Sequence, residues 1–305
     1  MRKILGLAAK ARSGKDTAAA LLMAHPEVAT YALADPLKEG CKALFGLTET
    51  ETWDDNAKEV VLSSWGRSPR QLFQHVGTEW MRERDPLHWL KRADREINHQ
   101  PVISSATAPA CRETPASSNI TATLNNPNSP FTLATQAIFG LSDSQLNEAK
   151  HIEDELWEAT PAELVEHIKA LVHRDFPNFD TQYQSHVNAH MNIQNTKHKF
   201  KNEKQLTENL KLTAEKKIYK SKINLSGKSL IIIKDIRFEN EADYIRKLGG
   251  EIWHIIRPSA KAVNPHPSES GIAIKEGDLT IYNTGTLDEY ERAVNAAWTT
   301  IKSTL

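Results

Sequence analysis

The chain reads as an α/β protein: a doubly wound parallel sheet flanked by helices, with a large, mostly helical insertion. Three observations point there. Short apolar runs rich in β-branched residues recur near both ends, at residues 4–8, 230–233, 252–256 and 279–282, as strands buried on both faces do. Helical periods alternate with these runs, which is how a parallel sheet makes its crossovers. The first run also leads straight into a small-residue loop and a helix start.

That first segment is Lys3-Ile4-Leu5-Gly6-Leu7-Ala8-Ala9-Lys10-Ala11-Arg12-Ser13-Gly14-Lys15-Asp16-Thr17. Strand, lysine-bearing loop and helix in this order make a P-loop. Its backbone N–H groups and the helix N-terminus form a concavity of partial positive charge suited to phosphate oxygens. Lys15 would reach the β- and γ-phosphates. The usual pattern is G-x-x-x-x-G-K-[ST], whose hydroxyl holds Mg²⁺. Here Ala9 stands at the first glycine, Asp16 at the hydroxyl, and Thr17 follows. A glycine turn capping an ordinary helix is the bland alternative. The buried strand at 4–8 and the helix expected over 17–23 favour the phosphate loop.

Residues 1–103 read as the first part of the α/β core. Residues 104–135 are dominated by Ser, Thr, Ala, Asn and Pro, a composition that buries too little apolar surface to order itself, and read as a linker. Residues 136–228 read as a helical, polar insertion. The core resumes at 229–305, with strand 230–233, a helix over 241–248 stopped by Gly249-Gly250, strands 252–256 and 279–282, and a last helix. That helix carries Leu287, Tyr290, Val294, Ala297 and Ile301 on one face. Asp35 and Asp235 fall at the carboxyl ends of strands, where open parallel sheets bind ligands. Each suits Mg²⁺ or, more plainly, a turn or helix cap.

Among 305 residues, 38 Lys and Arg face 39 Asp and Glu, a net charge of −1. No global attraction to polyanions follows. The tract 197–222 holds nine Lys and three Glu and reads as a solvated face rather than a nucleic-acid patch. Two cysteines, Cys41 and Cys111, are too few for a disulfide framework and fit a reducing cytoplasm. No apolar run approaches a membrane span, and charge returns at Lys10, too early for a signal-peptide core.

Several segments resemble the phage-type deoxynucleoside monophosphate kinases, as in T-even phages. They are Ala11 to Thr17; Leu33-Ala34-Asp35-Pro36-Leu37-Lys38; Ser68-Pro69-Arg70-Gln71-Leu72-Phe73-Gln74-His75-Val76-Gly77-Thr78-Glu79; and Asp85-Pro86-Leu87-His88-Trp89. Later come Asp235-Ile236-Arg237-Phe238-Glu239-Asn240-Glu241, the stretch 250–258, Glu269-Ser270-Gly271 and Asp278-Leu279-Thr280-Ile281-Tyr282-Asn283. The resemblance implies ATP and Mg²⁺ as cofactors, with Ala11, Arg12, Ser13, Gly14, Lys15, Asp16 and Thr17 at the ATP phosphates and Asp16 as the metal residue. It implies Lys38, Arg70, Gly77, Thr78, Trp89, Asp235, Arg237 and Glu241 around a deoxynucleoside monophosphate. Lys15, Arg12 and Asp235 would be the catalytic residues, with Arg82 and Arg84 as further mobile candidates. Asp35 departs from the glycine expected there. The resemblance also implies no membrane or direct nucleic-acid contact, host-cell cytoplasm as the location, and a homodimer as an assembly it allows.

Arg70 and Arg237 suit bidentate capture of a phosphate, or else surface ion pairs. Trp89 offers a stacking face or a core aromatic. A dephospho-coenzyme-A kinase relative and a non-catalytic nucleotide-binding protein remain the alternatives.

The insertion carries an internal echo. Ala43-Leu44-Phe45-Gly46-Leu47-Thr48 recurs as Ala137-Ile138-Phe139-Gly140-Leu141-Ser142. Lys58, Trp65, Ser68-Pro69, Leu72 and His75 recur at identical mutual spacing as Lys150, Trp157, Thr160-Pro161, Leu164 and His167. Arg70, Gln74 and Gly77 correspond to Ala162, Glu166 and Lys169. The expectation is a degenerate copy of 43–100 that kept its fold signals and lost its ligand signals. His186 and His190, four apart, have no third metal ligand visible in the sequence and read as surface residues.

Overall fold

The computed structural model describes residues 2–10, 12–98, 129–198, 223–260 and 271–305. In chain order the elements are β1 (Lys3–Ala9), α1 (Lys15–Met23), β2 (Val28–Tyr31), α2 (Ala34–Phe45), α3 (Glu49–Trp53), a 3₁₀ turn (Ala57–Glu59), α4 (Pro69–Gln74), a π-helical segment (His75–Arg82) and α5 (His88–Asn98). They continue with α6 (Ser129–Phe139), α7 (Asp143–Asn147), α8 (Pro161–Asp175), α9 (Phe179–His198), β3 (Leu230–Ile236), α10 (Glu239–Lys247), β4 (Glu251–Ile256), β5 (Leu279–Tyr282) and α11 (Leu287–Lys302). The chain divides into two units: one of residues 1–35, 81–98 and 223–305, the other of 36–80 and 99–222. Residues 36–80 therefore group with the helical insertion and not with the sheet.

In the first unit the described strands form one parallel sheet in the order β2-β3-β1-β4-β5. β1 lies at its centre, with Leu5 beside Ile232 on one side and Glu251 on the other. Its alternating side chains feed two layers. Leu5 and Leu7 pack with Ala18, Leu22, Tyr290, Val294, Trp298 and Ile301 of α1 and α11, each fully buried large apolar side chain contributing about 1.5–3 kcal/mol. Gly6 serves the opposite face: a Cβ there would lie 2.7 Å from Ile252 Cδ1 and 3.0 Å from Ile245 Cδ1 of α10. The missing side chain lets α10 lie close on the sheet, and helices cover both faces.

A polar network crosses that second layer. Asp278 Oδ2 accepts from Arg246 Nη2 (2.6 Å) and the Lys275 N–H (2.9 Å), and lies 2.9 Å from His254 Nε2. Burial alone would raise the Asp278 carboxyl. These hydrogen bonds outweigh it and hold it at about 2.

The second unit contains the same local design twice. Phe45 and Phe139 end their helices ahead of left-handed glycines, Gly46 (φ 65°) and Gly140 (φ 67°). Thr48 with Glu51, and Ser142 with Gln145, then make reciprocal capping boxes for α3 and α7. Single antiparallel bridges follow, Leu62 with Arg67 and Asp154 with Ala159. The indole N–H groups of Trp65 and Trp157 donate to the carbonyls of Phe45 (3.1 Å) and Phe139 (2.8 Å). Ser68-Pro69 and Thr160-Pro161 start α4 and α8 with a second pair of capping boxes. Gly40 of α2 meets α6 at Ile138, whose Cγ1 a Cβ would approach to 2.6 Å.

The linker expected over 104–135 needs a correction at its end, because residues 129–135 form the start of α6. Pro130 occupies a first-turn position where its missing N–H costs nothing, and Phe131, Ala134, Ala137 and Ile138 are buried. Most of that linker, the strand start at 101–104 and the lysine-rich tract beyond 198 lie outside the described residues. Among the described residues no helix is long and apolar enough to cross a membrane.

Candidate active site

The loop from β1 to α1 must reverse direction within a few residues. Arg12 (φ 63°) and Gly14 (φ 101°) supply left-handed backbone. Space decides the residue at 14 as firmly as torsion does: a Cβ would sit 2.5 Å from Asn283 Nδ2 and 3.3 Å from Tyr290 Cε1. Only glycine satisfies both constraints. Those neighbours also brace the loop, Asn283 Nδ2 donating to the Ser13 carbonyl and the Tyr290 hydroxyl to the Gly14 carbonyl, each at 3.0 Å. Burial pushes the Tyr290 hydroxyl up to about 12, so it stays a donor.

No side chain caps α1, and the leading N–H groups of a helix have no intrahelical acceptor. Lys15 Nζ lies 2.8 Å from Asp16 Oδ2, and the Asp16 side chain is largely exposed. Ser13 is buried, Arg12 is exposed and Thr17 sits in the first turn. Ala11 lies outside the described residues. An uncapped helix end, an adjacent ammonium and a carboxylate are the donor and oxygen chemistry that a polyphosphate with a hard divalent cation requires. The loop fits both.

Two strands away from β4, the carboxyl end of β3 carries Asp235, which is buried. Its two oxygens accept the N–H groups of Leu33 (2.7 Å) and Ala34 (2.9 Å), so it fixes the turn that opens α2. Two residues later Arg237 begins the approach to α10. Glu241, buried in the first turn of α10, accepts from the backbone N–H groups of Arg237 (2.9 Å) and Phe238 (3.2 Å) and from Arg82 Nη1 (2.8 Å). Burial, with Asp235 nearby, raises the Glu241 carboxyl to about 6 against the pull of those donors. Arg82 also donates to Asn240 Oδ1 (2.9 Å) and lies 3.6 Å over the Phe238 ring. In this structure Arg82, a candidate for the transferring group, is thus held by Glu241 and Asn240.

Trp89 of α5 is buried. On the same helix sequence reasoning missed Arg92, whose side chain is 1% exposed and pairs with Glu96 at 2.9 Å. The signal was present as an arginine between Trp89 and Glu96 on the apolar face of an amphipathic helix. Arg92, Glu96, Asp35 and Asp235 all act on Tyr31, whose hydroxyl burial pushes well up. The carboxyl ends of β2 and β3 thus gather a charged cluster.

The remaining predicted residues belong to the helical unit. Lys38 Nζ lies 4.6 Å from the Trp53 ring centroid, and Arg70 is paired with Glu59. Gly77 and Thr78 fall in the π-helical segment, a wide turn that often marks functional sites. A Cβ at Gly77 would meet Leu37 Cδ2 at 2.6 Å. The structure therefore brings the β1–α1 loop, Asp235, Arg237, Glu241 and Trp89 into one unit, and Lys38, Arg70, Gly77 and Thr78 into the other.

Residues 3–63 and 209–294 match the model of the family described as deoxynucleotide monophosphate kinase. The chain is 28% identical over 166 residues to a putative deoxynucleotide monophosphate kinase of Acanthamoeba polyphaga mimivirus, covering 53% of this chain and 75% of that protein. It is 39% identical over 71 residues to the deoxynucleotide monophosphate kinase of Enterobacteria phage T4, 23% of this chain and 29% of that one. To the enzyme of the same name from Escherichia phage RB69 it is 34% identical over 58 residues, 19% and 24% of the two chains. The matched stretches thus span less than a third of either phage protein.

Proposed function

We propose, from the match of both ends of the chain to the deoxynucleotide monophosphate kinase family, that the chain is a member of that family and transfers the γ-phosphoryl group of ATP to a deoxynucleoside 5′-monophosphate, giving the diphosphate. One observation carries the phosphate-handling part. Gly14 is held at φ 101° between Asn283 and Tyr290, beneath a helix end that no side chain caps. That geometry reserves backbone donors for an anion.

Lys15 and Arg12 place positive charge where charge builds on the transferring group, the principal means of accelerating phosphoryl transfer. Asp16 would hold Mg²⁺, which neutralises phosphate oxygens when bound. A phosphate oxygen of the acceptor attacks, the bond from the γ-phosphorus to the β-bridging oxygen breaks, and ADP leaves. The acceptor is already anionic, so no general base is required. Lys38, Arg70, Gly77, Thr78, Trp89, Asp235, Arg237 and Glu241 form the acceptor set in this reading. Arg70 and Arg237 grip the monophosphate and the carboxylates meet sugar or base donors. Residues 136–228 are in the same reading a degenerate copy of 43–100, inserted where closure entropy grows only slowly with length. The role in this reading is supply of diphosphates for phage DNA synthesis, in the cytoplasm, which is the host cell's if the chain is phage-encoded.

The test is phosphorylation of dTMP, dGMP and dCMP by ATP and Mg²⁺, with dephospho-coenzyme A as control. Turnover of at least one deoxynucleotide is expected, and turnover of the control alone would overturn the reading. Lys15→Ala should lower turnover about 10²- to 10³-fold while the protein stays folded. Unchanged turnover would remove Lys15 from the phosphate site.

A further inference from the structure

His186 and His190 sit four residues apart on α9, and so share one helix face. The structure supplies the third group that the sequence hides, Glu51 of α3. His190 Nε2 lies 3.2 Å from Glu51 Oε1 and 3.3 Å from His186 Nε2, and His186 Nε2 lies 3.6 Å from Glu51 Oε2. One ligand atom from each residue falls within 4.8 Å of the others. We propose that Glu51, His186 and His190 form a transition-metal site, of the chemistry Zn²⁺ takes, that fastens α9 to α3 within the helical unit.

The spacing is the first argument. Two ligands about 2.05 Å from a tetrahedral Zn²⁺ stand roughly 3.3 Å apart, close to the 3.2 Å and 3.3 Å that His190 Nε2 keeps from Glu51 Oε1 and His186 Nε2. Two imidazole Nε2 atoms facing each other at 3.3 Å cannot both carry protons. A shared cation lets both present lone pairs.

The surroundings are the second. Ser64 Oγ lies 2.8 Å from His186 Nδ1; in the tautomer protonated at Nδ1 the Ser64 hydroxyl accepts and the Nε2 lone pair is left for a metal, the arrangement by which outer hydrogen bonds orient zinc-binding histidines. Glu51 is aimed by the N–H and hydroxyl of Thr48, both donating to Oε2 at 2.8 and 2.9 Å, which leaves Oε1 toward His190. The His186 side chain is 5% exposed and that of Glu51 12%, so the cluster is not a chance meeting of surface charges. Imidazole pairs select late first-row metals over Mg²⁺ or Ca²⁺, and three protein ligands leave a fourth position for water. The matching position in the second copy is Gln145, which keeps the capping box without the anion.

The test uses the full-length protein, stripped with a chelator, titrated with Zn²⁺ by calorimetry and with Co²⁺ by its visible ligand-field bands. Expected are one ion per chain, tetrahedral Co²⁺ absorption, and a higher unfolding temperature with Zn²⁺. Glu51→Gln preserves the helix cap and His190→Ala removes a part-exposed ring, so both should fold, as circular dichroism would check. Each should weaken binding at least roughly 10- to 100-fold and abolish the thermal gain. Absence of stoichiometric uptake would overturn the site in favour of a hydrogen-bonded His–Glu cluster. Uptake that both variants leave unchanged would overturn it in favour of ligands elsewhere.

Discussion

Trp65 and Trp157 hold matching places in two stretches of the helical unit, and several backbone hydrogen bonds around them correspond. Leu47 N donates to the Lys42 carbonyl and Leu141 N to that of Gln136. Gly66 and Glu158 both donate to the residue four before them at 2.8 Å. Each indole also meets its phenylalanine edge to face at 5.1 Å. The side chains between these fixed points differ in kind. Arg67, which lies over Phe176, is replaced by Ala159, and Arg70 by Ala162. Gly77, which admits Leu37, is replaced by Lys169, which pairs with Glu166. Caps, turns and the buried indole specify the fold in both stretches, and none of them specifies a ligand. The residues that fix caps, turns and indole are separate from those that differ, so the same local fold stands with either set of side chains between them.

The largest effects should come from the shared parts. Trp65→Ala and Trp157→Ala each remove a buried indole and its hydrogen bond, and each should cost about 3–5 kcal/mol in urea unfolding. A cost below about 1 kcal/mol at Trp157 alone would break the equivalence.

Next should come the parts that differ. Arg70→Ala should lower kcat/KM for the deoxynucleotide about 100-fold, or about 2.7 kcal/mol, mostly through KM. Ala162→Arg in the second stretch should leave turnover as it was. Equal sensitivity at 70 and 162 would mean that the second stretch also meets the acceptor.

Much of this was legible in the chain because it rests on local rules. The run Leu230-Ile231-Ile232-Ile233 marks a strand buried on both faces whatever surrounds it, and the Gly-Lys turn after β1 announces a helix start. The capping boxes at Thr48, Ser68, Ser142 and Thr160 can be read off three-residue spacings. What stayed hidden depends on distant partners. Asn283 and Tyr290 brace the β1–α1 loop from the far end of the chain, and Arg92 becomes notable only through its burial. Glu51 joins His186 and His190 only once α3 meets α9. The π-helical segment at His75–Arg82 leaves no periodic mark in the sequence. The start of α6 was missed because Ser129 and Pro130 continue a polar, proline-rich composition, although proline is welcome in a first helical turn.

Smaller effects probe the shared turns themselves. Ser68→Ala and Thr160→Ala should each cost about 1 kcal/mol, since each removes one side of a capping box. A marked difference between them would show that one stretch leans on neighbours for its helix start.

The smallest effect separates backbone from side chain. Gly66 and Glu158 both adopt positive φ, 62° and 50°, and a Cβ at Gly66 would meet nothing within 4 Å. The strain at this turn is therefore torsional and not steric. A glutamate held there carries a cost of about 1 kcal/mol that glycine avoids. Glu158→Gly should stabilise the protein by about 0.5 kcal/mol once glycine's greater freedom in the unfolded chain is subtracted, and Gly66→Ala should destabilise it by a similar amount. Opposite signs in thermal unfolding would show that both turns impose the same left-handed residue. Equal signs would show that the second turn has relaxed away from the first.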